Sequence, residues 1–298
     1  MRVAALLIWL AAAMTHAQEL EPRAYTNAPV GLNFLIVGLA HSEGGLSTDP
    51  ALPVEDAKLK IDTMAFAYAR SLDLWGKSGK VDVILPYSDL SGTALVSGEI
   101  KERDTRGFGD PRVRLSINFY GAPVLSPQEF AAYRQDLVIG ASVQVSAPGS
   151  QYDSDKVVNL GTNRWSVKPD IGFSKTLGPC MLDFTAGVTF YTDNDNYYGG
   201  KRLEKDPVYS VQSNLSYNFG RGIWMAIGGT YYDGGRTTLD GVRNDDALES
   251  SRVGVILALP INRQHSIKLN ASRGVTTRVG TSFDTVGIAW QYRWGAGL

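Results

Sequence analysis

Large apolar side chains recur at every second position through most of this chain. Val113, Leu115, Ile117 and Phe119 alternate with Arg112, Arg114, Ser116 and Asn118. Leu137, Ile139, Ala141, Val143 and Val145 alternate with Gly140, Ser142, Gln144 and Ser146, and the same pattern runs through 165–174, 182–190, 209–219 and 265–272. It ends in Asp284–Trp294, where Val286, Ile288, Trp290, Tyr292 and Trp294 alternate with Gly287, Ala289, Gln291 and Arg293. Successive strand residues point to opposite faces, so strict alternation means one dry face and one wet one. Less regular stretches at 30–41, 57–70, 80–89, 222–233 and 250–260 bring the expected strand number to about twelve. Thirty-two glycines, and 14 tyrosines against 10 phenylalanines, also suit a turn-rich all-β chain.

The dry face has two possible neighbours: a second sheet, as in a soluble sandwich, or lipid, as in a transmembrane barrel. Three features favour the barrel. Strands of about ten residues fit a tilted membrane span. Charges of both signs occupy the wet face in mid-strand: Arg112, Arg114, Lys168, Asp170, Asp183, Lys268 and Arg293. Aromatics gather near the strand ends, with Phe119, Tyr120, Tyr217, Phe219, Trp290, Tyr292 and Trp294 at one level and Tyr191, Tyr209, Tyr231 and Tyr232 at the other. The connections agree. Long polar links at 42–56, 90–106, 147–162, 192–206 and 234–249, with a shorter one at 276–282, alternate with tight ones at 176–179, 219–222 and 261–264. Outer-membrane barrels have this arrangement, with long loops outside and short turns in the periplasm. Two of the periplasmic links, 71–79 and 121–133, are longer. In the second, Ser126-Pro127-Gln128-Glu129 is a capping box with proline at the first helical position, predicting a short helix to about Tyr133.

The beginning of the chain reads as a leader. Arg2 precedes an apolar run, Val3–Met14, too short to span a bilayer, and Thr15-His16-Ala17 places small residues for cleavage after Ala17. Residues 1–17 are thus expected to be a signal peptide and 18–298 one barrel domain. A single cysteine, Cys180, excludes an intrachain disulfide. A net charge of −1 gives no reason to expect nucleic acid.

Few residues suggest chemistry. His41 and His265 lack the spacing of a metal site. His41 lies near Ser42, Glu43 and Asp49, which leaves open a hydrolase at the outer rim. Asp193 and Asp195, like Asp153 and Asp155, sit two apart but without the rest of a calcium-loop pattern, and read as solvated turns able to bridge cations to lipopolysaccharide. Gly107-Phe108-Gly109 has no βα unit around it, so it fits a close backbone approach or a bulge rather than a dinucleotide site. No cofactor and no metal is expected. The inward charges are the best candidates for lining a lumen, either as a salt-bridge lattice that fills it or as a ladder that guides a solute. About twelve strands imply a bore between that of a filled small barrel and that of an open porin.

The last strand also resembles the C-terminal signal read by the outer-membrane barrel assembly machinery, through Thr285, Gly287, Trp290 and Tyr292, although the chain continues beyond the final aromatic. Over most of its length the chain resembles the meta-pathway of phenol degradation family. The resemblance is carried by RGFGDPRVRLSINFYG (106–121), by SAPGSQYDSDKVVNLGTNRWSVKPDIGFSK (146–175) with its Asn-x-Gly-x-Asn-x-Trp element, and by YYDGGRTTLDG (231–241). It implies an outer-membrane barrel that moves small hydrophobic or aromatic compounds passively. A barrel hydrolase, a non-conducting structural or adhesive barrel and a secreted sandwich stay open as alternatives.

Overall fold

The computed structural model describes residues 20–47, 54–96, 99–156, 158–277 and 280–296. The predicted leader and its cleavage site lie outside them, as does Asp49. Seventeen strands and one helix follow in order: β1 (Leu32–Ser47), β2 (Val54–Leu74), β3 (Lys77–Val96), β4 (Glu99–Phe108), β5 (Arg112–Tyr120), α1 (Pro127–Ala132), β6 (Leu137–Ser146), β7 (Ser166–Leu177), β8 (Cys180–Tyr191), β9 (Asn194–Tyr197), β10 (Lys201–Lys205), β11 (Val208–Gly220), β12 (Ile223–Gly234), β13 (Thr237–Leu239), β14 (Val242–Arg243), β15 (Leu248–Pro260), β16 (His265–Thr277) and β17 (Gly280–Gly295). Four short ones, β14-β13-β10-β9, make a small sheet at the extracellular rim. The others close into a 12-strand antiparallel barrel, in which β4 and β5 together count as one strand. β3 pairs with β4 along Tyr87–Val96 and with β5 along Gly79–Ile84. Closure is made by β1 and β17, paired from Leu32↔Gly295 to Ser47↔Gly280. An open edge in lipid would leave each backbone group unpaired at several kcal/mol, roughly. Among the described residues no helix is long and apolar enough to cross a membrane, so strands do the crossing.

The alternating stripe of β17 faces outward. Val286 is 58% exposed, Ile288 45% and Trp290 37%. On the neighbouring strands Val37 pairs with Trp290 and Leu39 with Ile288, and on the other side Leu269 pairs with Ile288. From Val286 to Trp294 the strand runs about 27 Å at about 3.4 Å per residue. At a tilt of about 40° it rises about 21 Å, most of the apolar height of about 25 Å of an outer-membrane barrel. At the periplasmic edge His265, Trp290, Tyr292 and Trp294 form a stacked row with ring centroids 4.9–6.3 Å apart, as amphipathic rings do at a headgroup boundary. At the other edge the outward residues turn charged: His41 Nδ1 lies 2.7 Å from Asp62, and Arg273 Nε 3.4 Å from Asp284.

Beyond that edge several predicted loops are strand. The links 42–56, 90–106 and 276–282 are largely continuations of β1–β2, β3–β4 and β16–β17. Above the membrane both faces meet water, so the alternation that marks a strand disappears while its backbone ladder persists. The link 71–79 is a correction of the same kind. Trp75 (φ 53°) and Gly76 (φ 79°) form a two-residue hairpin turn, with Gly76 N donating to Asp73 Oδ1 at 2.7 Å. Such turns usually carry Asn-Gly, and here a tryptophan takes the left-handed position. The predicted periplasmic helix is present as α1, with Ser126 as its cap and the reciprocal Glu129 bond in place. Two of the four tyrosines assigned to the outer interface, Tyr191 and Tyr232, point inward instead. Their neighbours Phe190 and Tyr231 are the exposed ones, at 49% and 44%.

Candidate functional site

The inside of the barrel contains a segment that sequence patterning missed. Residues 20–31, ahead of β1, rise into the lumen and bind its polar wall. Asn27 N donates to Gln135 Oε1 at 3.0 Å near the periplasmic end. Above it, Tyr25 donates its hydroxyl to Asp170, and its carbonyl accepts from Asn118 Nδ2 at 3.2 Å. Arg23 N donates to Asp183 Oδ2 at 3.1 Å. Glu21 accepts from Arg114 Nη1, while Arg114 Nε donates to Asp82 Oδ2 at 3.2 Å. The wall makes room by omitting side chains. A Cβ on Gly140 or Gly172 would lie 2.4 or 2.6 Å from the Tyr25 ring. At its upper end the segment reaches the far side, where a Cβ on Gly254 would lie 2.5 Å from Leu20. The segment therefore crosses the bore.

Three of the seven inward charges named from sequence, Arg114, Asp170 and Asp183, are thus brought together by this segment. Asp170 also accepts from Ser142 Oγ at 2.7 Å, and Asp183 from Ser174 Oγ. Lys168 is on the same wall, close enough to Glu21 to lower its charge cost. Lys268 Nζ lies 5.9 Å from the Trp224 ring, which Arg23 Cζ also approaches, at 5.2 Å. Arg293 is at the periplasmic mouth, where Nε donates to Arg263 O at 2.5 Å. Arg112 is on the inner face of β5 beside Ser146 and makes no ion pair among the described residues. Sequence reading passed over Lys80 and Asp82, which lie 3.8 Å apart and belong to the same network. The alternation Lys80-Val81-Asp82-Val83 would have found them. Nothing local marks Glu21, Arg23 or Tyr25, because each is satisfied by a strand far away in sequence.

The opposite wall is different. The inner faces of β1 and β2 carry Phe34, Ile36, Gly38 and Ala40 beside Ala65, Ala67 and Ala69, and β17 continues the stripe with Gly287 and Ala289. Between this wall and the N-terminal segment lies a cavity of about 470 Å³ with a mixed lining, in which Phe34, Ile36, Ala69, Trp224 and Ala258 meet Arg23, Asn118, Lys80, Lys268, Gln291 and Arg293. The lumen keeps an apolar stripe open beside a polar wall that the segment covers in part.

The candidates for other chemistry separate. His41 faces outward, paired with Asp62. Ser42 faces inward, 2.9 Å from Thr285 Oγ1. Opposite faces of one strand cannot supply a nucleophile and its base. Among the described residues no acidic, histidine or cysteine group is placed to hold a metal. Asp193 binds Arg202 at 2.5 Å, with Asp195 3.6 Å from the same guanidinium. The glycines at 107 and 109 serve packing. A Cβ on Gly107 would lie 2.8 Å from Gln151, and the adjoining Asp110 accepts from Thr162 N at 2.8 Å and from Ser150 N at 3.3 Å. Two motifs far apart in sequence are thereby joined at the rim.

A family model described as "Putative MetA-pathway of phenol degradation" matches residues 42–292. No curated protein sequence matches the chain. Among solved structures, the COG4313 outer membrane channel from Pseudomonas putida F1 superposes with a TM-score of 0.79 at 23% identity, over 93% of this chain and 100% of that one. The β domain of the Bordetella autotransporter BrkA gives 0.52 at 7% identity, over 89% and 100% of the two chains. The transport unit of the autotransporter AIDA-I from Escherichia coli gives 0.51 at 9% identity, over 94% and 95%. These likenesses establish the fold of an outer-membrane barrel.

Proposed function

The chain belongs to the family described as "Putative MetA-pathway of phenol degradation", and from that membership we propose that it is an outer-membrane channel through which small hydrophobic or aromatic compounds enter passively. The observation that carries this reading is the apolar inner wall of β1, β2 and β17 with the cavity beside it. A porin for hydrophilic solutes has a polar interior throughout. An uncharged ring would pass Phe34, Ile36 and Ala69 along this wall, with Arg112, Arg114, Lys168, Asp170, Asp183, Lys268 and Arg293 as the polar boundary of the path, of which Arg114, Asp170 and Asp183 hold the segment that narrows it. The outward collar of Lys60, Asp62, Arg273 and Asp284 is the part expected to meet lipopolysaccharide.

The test is entry of radiolabelled phenol or toluene into vesicles with a lipopolysaccharide outer leaflet, which slows unassisted permeation. Vesicles containing the protein should fill several times faster at the start. Equal rates with and without protein would sink the reading in favour of a non-conducting structural barrel, which the segment across the bore also suits.

Thr285, Gly287, Trp290 and Tyr292 belong to the same proposal as the signal for the assembly machinery. Thr285 and Gly287 lie on the inner face of β17, and Trp290 and Tyr292 on the outer. Replacing both Trp290 and Tyr292 by Ser should cut the heat-modifiable, membrane-extracted species at least about threefold, since it removes two rings of the interfacial row as well as the signal. Unchanged yields of folded barrel would remove the assembly role.

A further inference from the structure

One periplasmic turn carries the lipid-facing surface past the end of the wall around it. The ladder between β1 and β2 ends at Asn33↔Arg70, while that between β2 and β3 runs on to Leu74↔Lys77. On its other side β3 pairs with β5 only as far as Gly79↔Ile117, apart from one isolated bridge from Lys77 to Pro123. The hairpin therefore projects by four residues, about 14 Å along the strand. Its outer face follows from parity. Met64, Phe66 and Tyr68 face lipid, so Arg70, Leu72 and Leu74 continue that face, with Lys77 beside Leu74 across the turn. Its depth follows from its neighbours. Arg70 is joined through Asn33 to Trp294, and the Tyr68 and Trp294 ring centroids are 6.2 Å apart. The aromatic row at the headgroup boundary thus ends beside Arg70, and the rest of the hairpin enters the headgroup layer.

The charge on this face has one sign. Arg70 and Lys77 are exposed and make no ion pair among the described residues. The carboxylates of the periplasmic face are committed elsewhere. Asp73 accepts from Gly76 N at 2.7 Å, Glu129 caps α1, and Asp136 lies 2.6 Å from Lys175. Between the two cations the surface is low and apolar, because Leu74 lies over Gly79, where a Cβ would be 2.4 Å from Leu74 Cδ1. The tip points the same way. Trp75 is 90% exposed at φ 53°. A bulky residue is rarely found in the left-handed region, and Asn-Gly would suit this turn better. The indole is therefore kept for what it meets outside the barrel, and its preferred surroundings are the membrane interface.

We propose that the outer face of the β2–β3 hairpin holds an anionic phospholipid of the periplasmic leaflet, with Arg70 and Lys77 on its phosphate, Leu72 and Leu74 under its glycerol carbons, its acyl chains along Phe66 and Tyr68, and the Trp75 indole among the headgroups. The reach fits. Arg70 and Lys77 stand about 14 Å apart along the hairpin, a distance that two extended side chains and one phosphate fill, since long cationic side chains lay their stems on apolar surface and carry the charge to the interface. The charge fits as well. Two cations meet one phosphate, and no free carboxylate is there to take the ammonium of a zwitterionic headgroup, so a net negative lipid is favoured. The surface is continuous with the lipid-facing wall above it, which makes lipid its occupant rather than a periplasmic protein. The site is outside the barrel and holds whether or not the barrel conducts.

Native mass spectrometry of the folded protein tests this, with phosphatidylglycerol and phosphatidylcholine added in equal amounts to its detergent micelles. The native chain should retain at least about fivefold more phosphatidylglycerol, since one cation near a membrane surface is worth about that factor. Arg70→Gln with Lys77→Gln should bring the ratio down to about twofold or less. Arg221→Gln, on the exposed β11–β12 turn, should leave it unchanged. Trp75→Asn installs the favoured turn sequence, so it folds, and it should lower retention of both lipids about twofold while the ratio stays native. Heat-modifiable migration checks the folding of each variant. If the double variant does not fold, Arg70→Gln and Lys77→Gln singly carry the test, each lowering the ratio at least about twofold. Equal retention of the two lipids by the native chain, a native ratio in the folded charge variants, or an equal fall in Arg221→Gln overturns the proposal, and native retention in Trp75→Asn overturns the placing of the indole.

Discussion

Deleting residues 20–27 is expected to raise single-channel conductance about two- to fivefold. Twelve strands about 4.8 Å apart and tilted about 40° give a backbone radius of about 12 Å, and inner side chains reduce the bore to roughly 12 Å across. An extended peptide occupies about half of that opening, and this one crosses it, from Asn27 on the polar wall to Leu20 against Gly254. Removing it exposes Asp170 and Asp183 to water instead of to Tyr25 and Arg23, so both carboxylates stay solvated and the barrel persists. A gentler variant checks the mechanism. In Gly140→Ala the added methyl would lie 2.4 Å from the Tyr25 ring, forcing the segment aside from the wall rather than deleting it. It also meets Asn118 Oδ1 at 2.5 Å, so the folded fraction is measured alongside. Planar bilayer recording should place Gly140→Ala between the native chain and the deletion. Native conductance in the deletion variant would show that solutes and ions already bypass the segment.

The contrast between the two walls explains how much was legible in the sequence. The lipid-facing side could be read because water and hydrocarbon alternate along every crossing strand, as they do at Val286, Ile288 and Trp290, and closure by β1 and β17 follows from the need to pair every edge. The inward charges on β5, β7 and β8 were legible for the same reason, by parity with the apolar residues between them. Parity would also have placed Tyr191 and Tyr232 inside, since Phe190 and Tyr231 take the lipid side. Two things were not legible. Above the membrane both faces are wet, so β3 and β4 read as a loop until their backbones are seen to pair. The N-terminal segment has no periodicity because it belongs to no sheet. Tyr25 finds Asp170 145 residues away, and Glu21 finds Arg114 93 residues away. Such contacts are a product of closing the barrel, and no local rule anticipates them.

Replacing Arg114 by Leu should give the largest stability loss of any single inward substitution. Arg114 is the shared partner of Glu21 and Asp82, with side-chain exposures of 14%, 31% and 9% respectively. Taking away the cation leaves two carboxylates facing each other across an apolar side chain, with Lys80 3.8 Å from Asp82 as partial compensation. Breaking a buried pair costs about 3–5 kcal/mol. Glu21 is nearly a third exposed and can regain water, so about 3 kcal/mol is the expected loss. The segment should also detach, because Glu21 has lost its anchor, and conductance should rise toward that of the deletion variant. The two effects can be separated. Adding Glu21→Gln to Arg114→Leu removes the unpaired carboxylate and leaves Asp82 with Lys80, and should recover most of the stability, to within about 1 kcal/mol of native, since a buried ion network contributes little net over neutral groups of similar size. The lost anchor is not replaced, so conductance should stay high in the double variant. Urea titrations of the barrel in lipid vesicles measure the first effect and bilayer recordings the second. A native urea midpoint in Arg114→Leu would show that water already reaches this network, and that the segment is held chiefly by Tyr25 on Asp170 and Arg23 on Asp183.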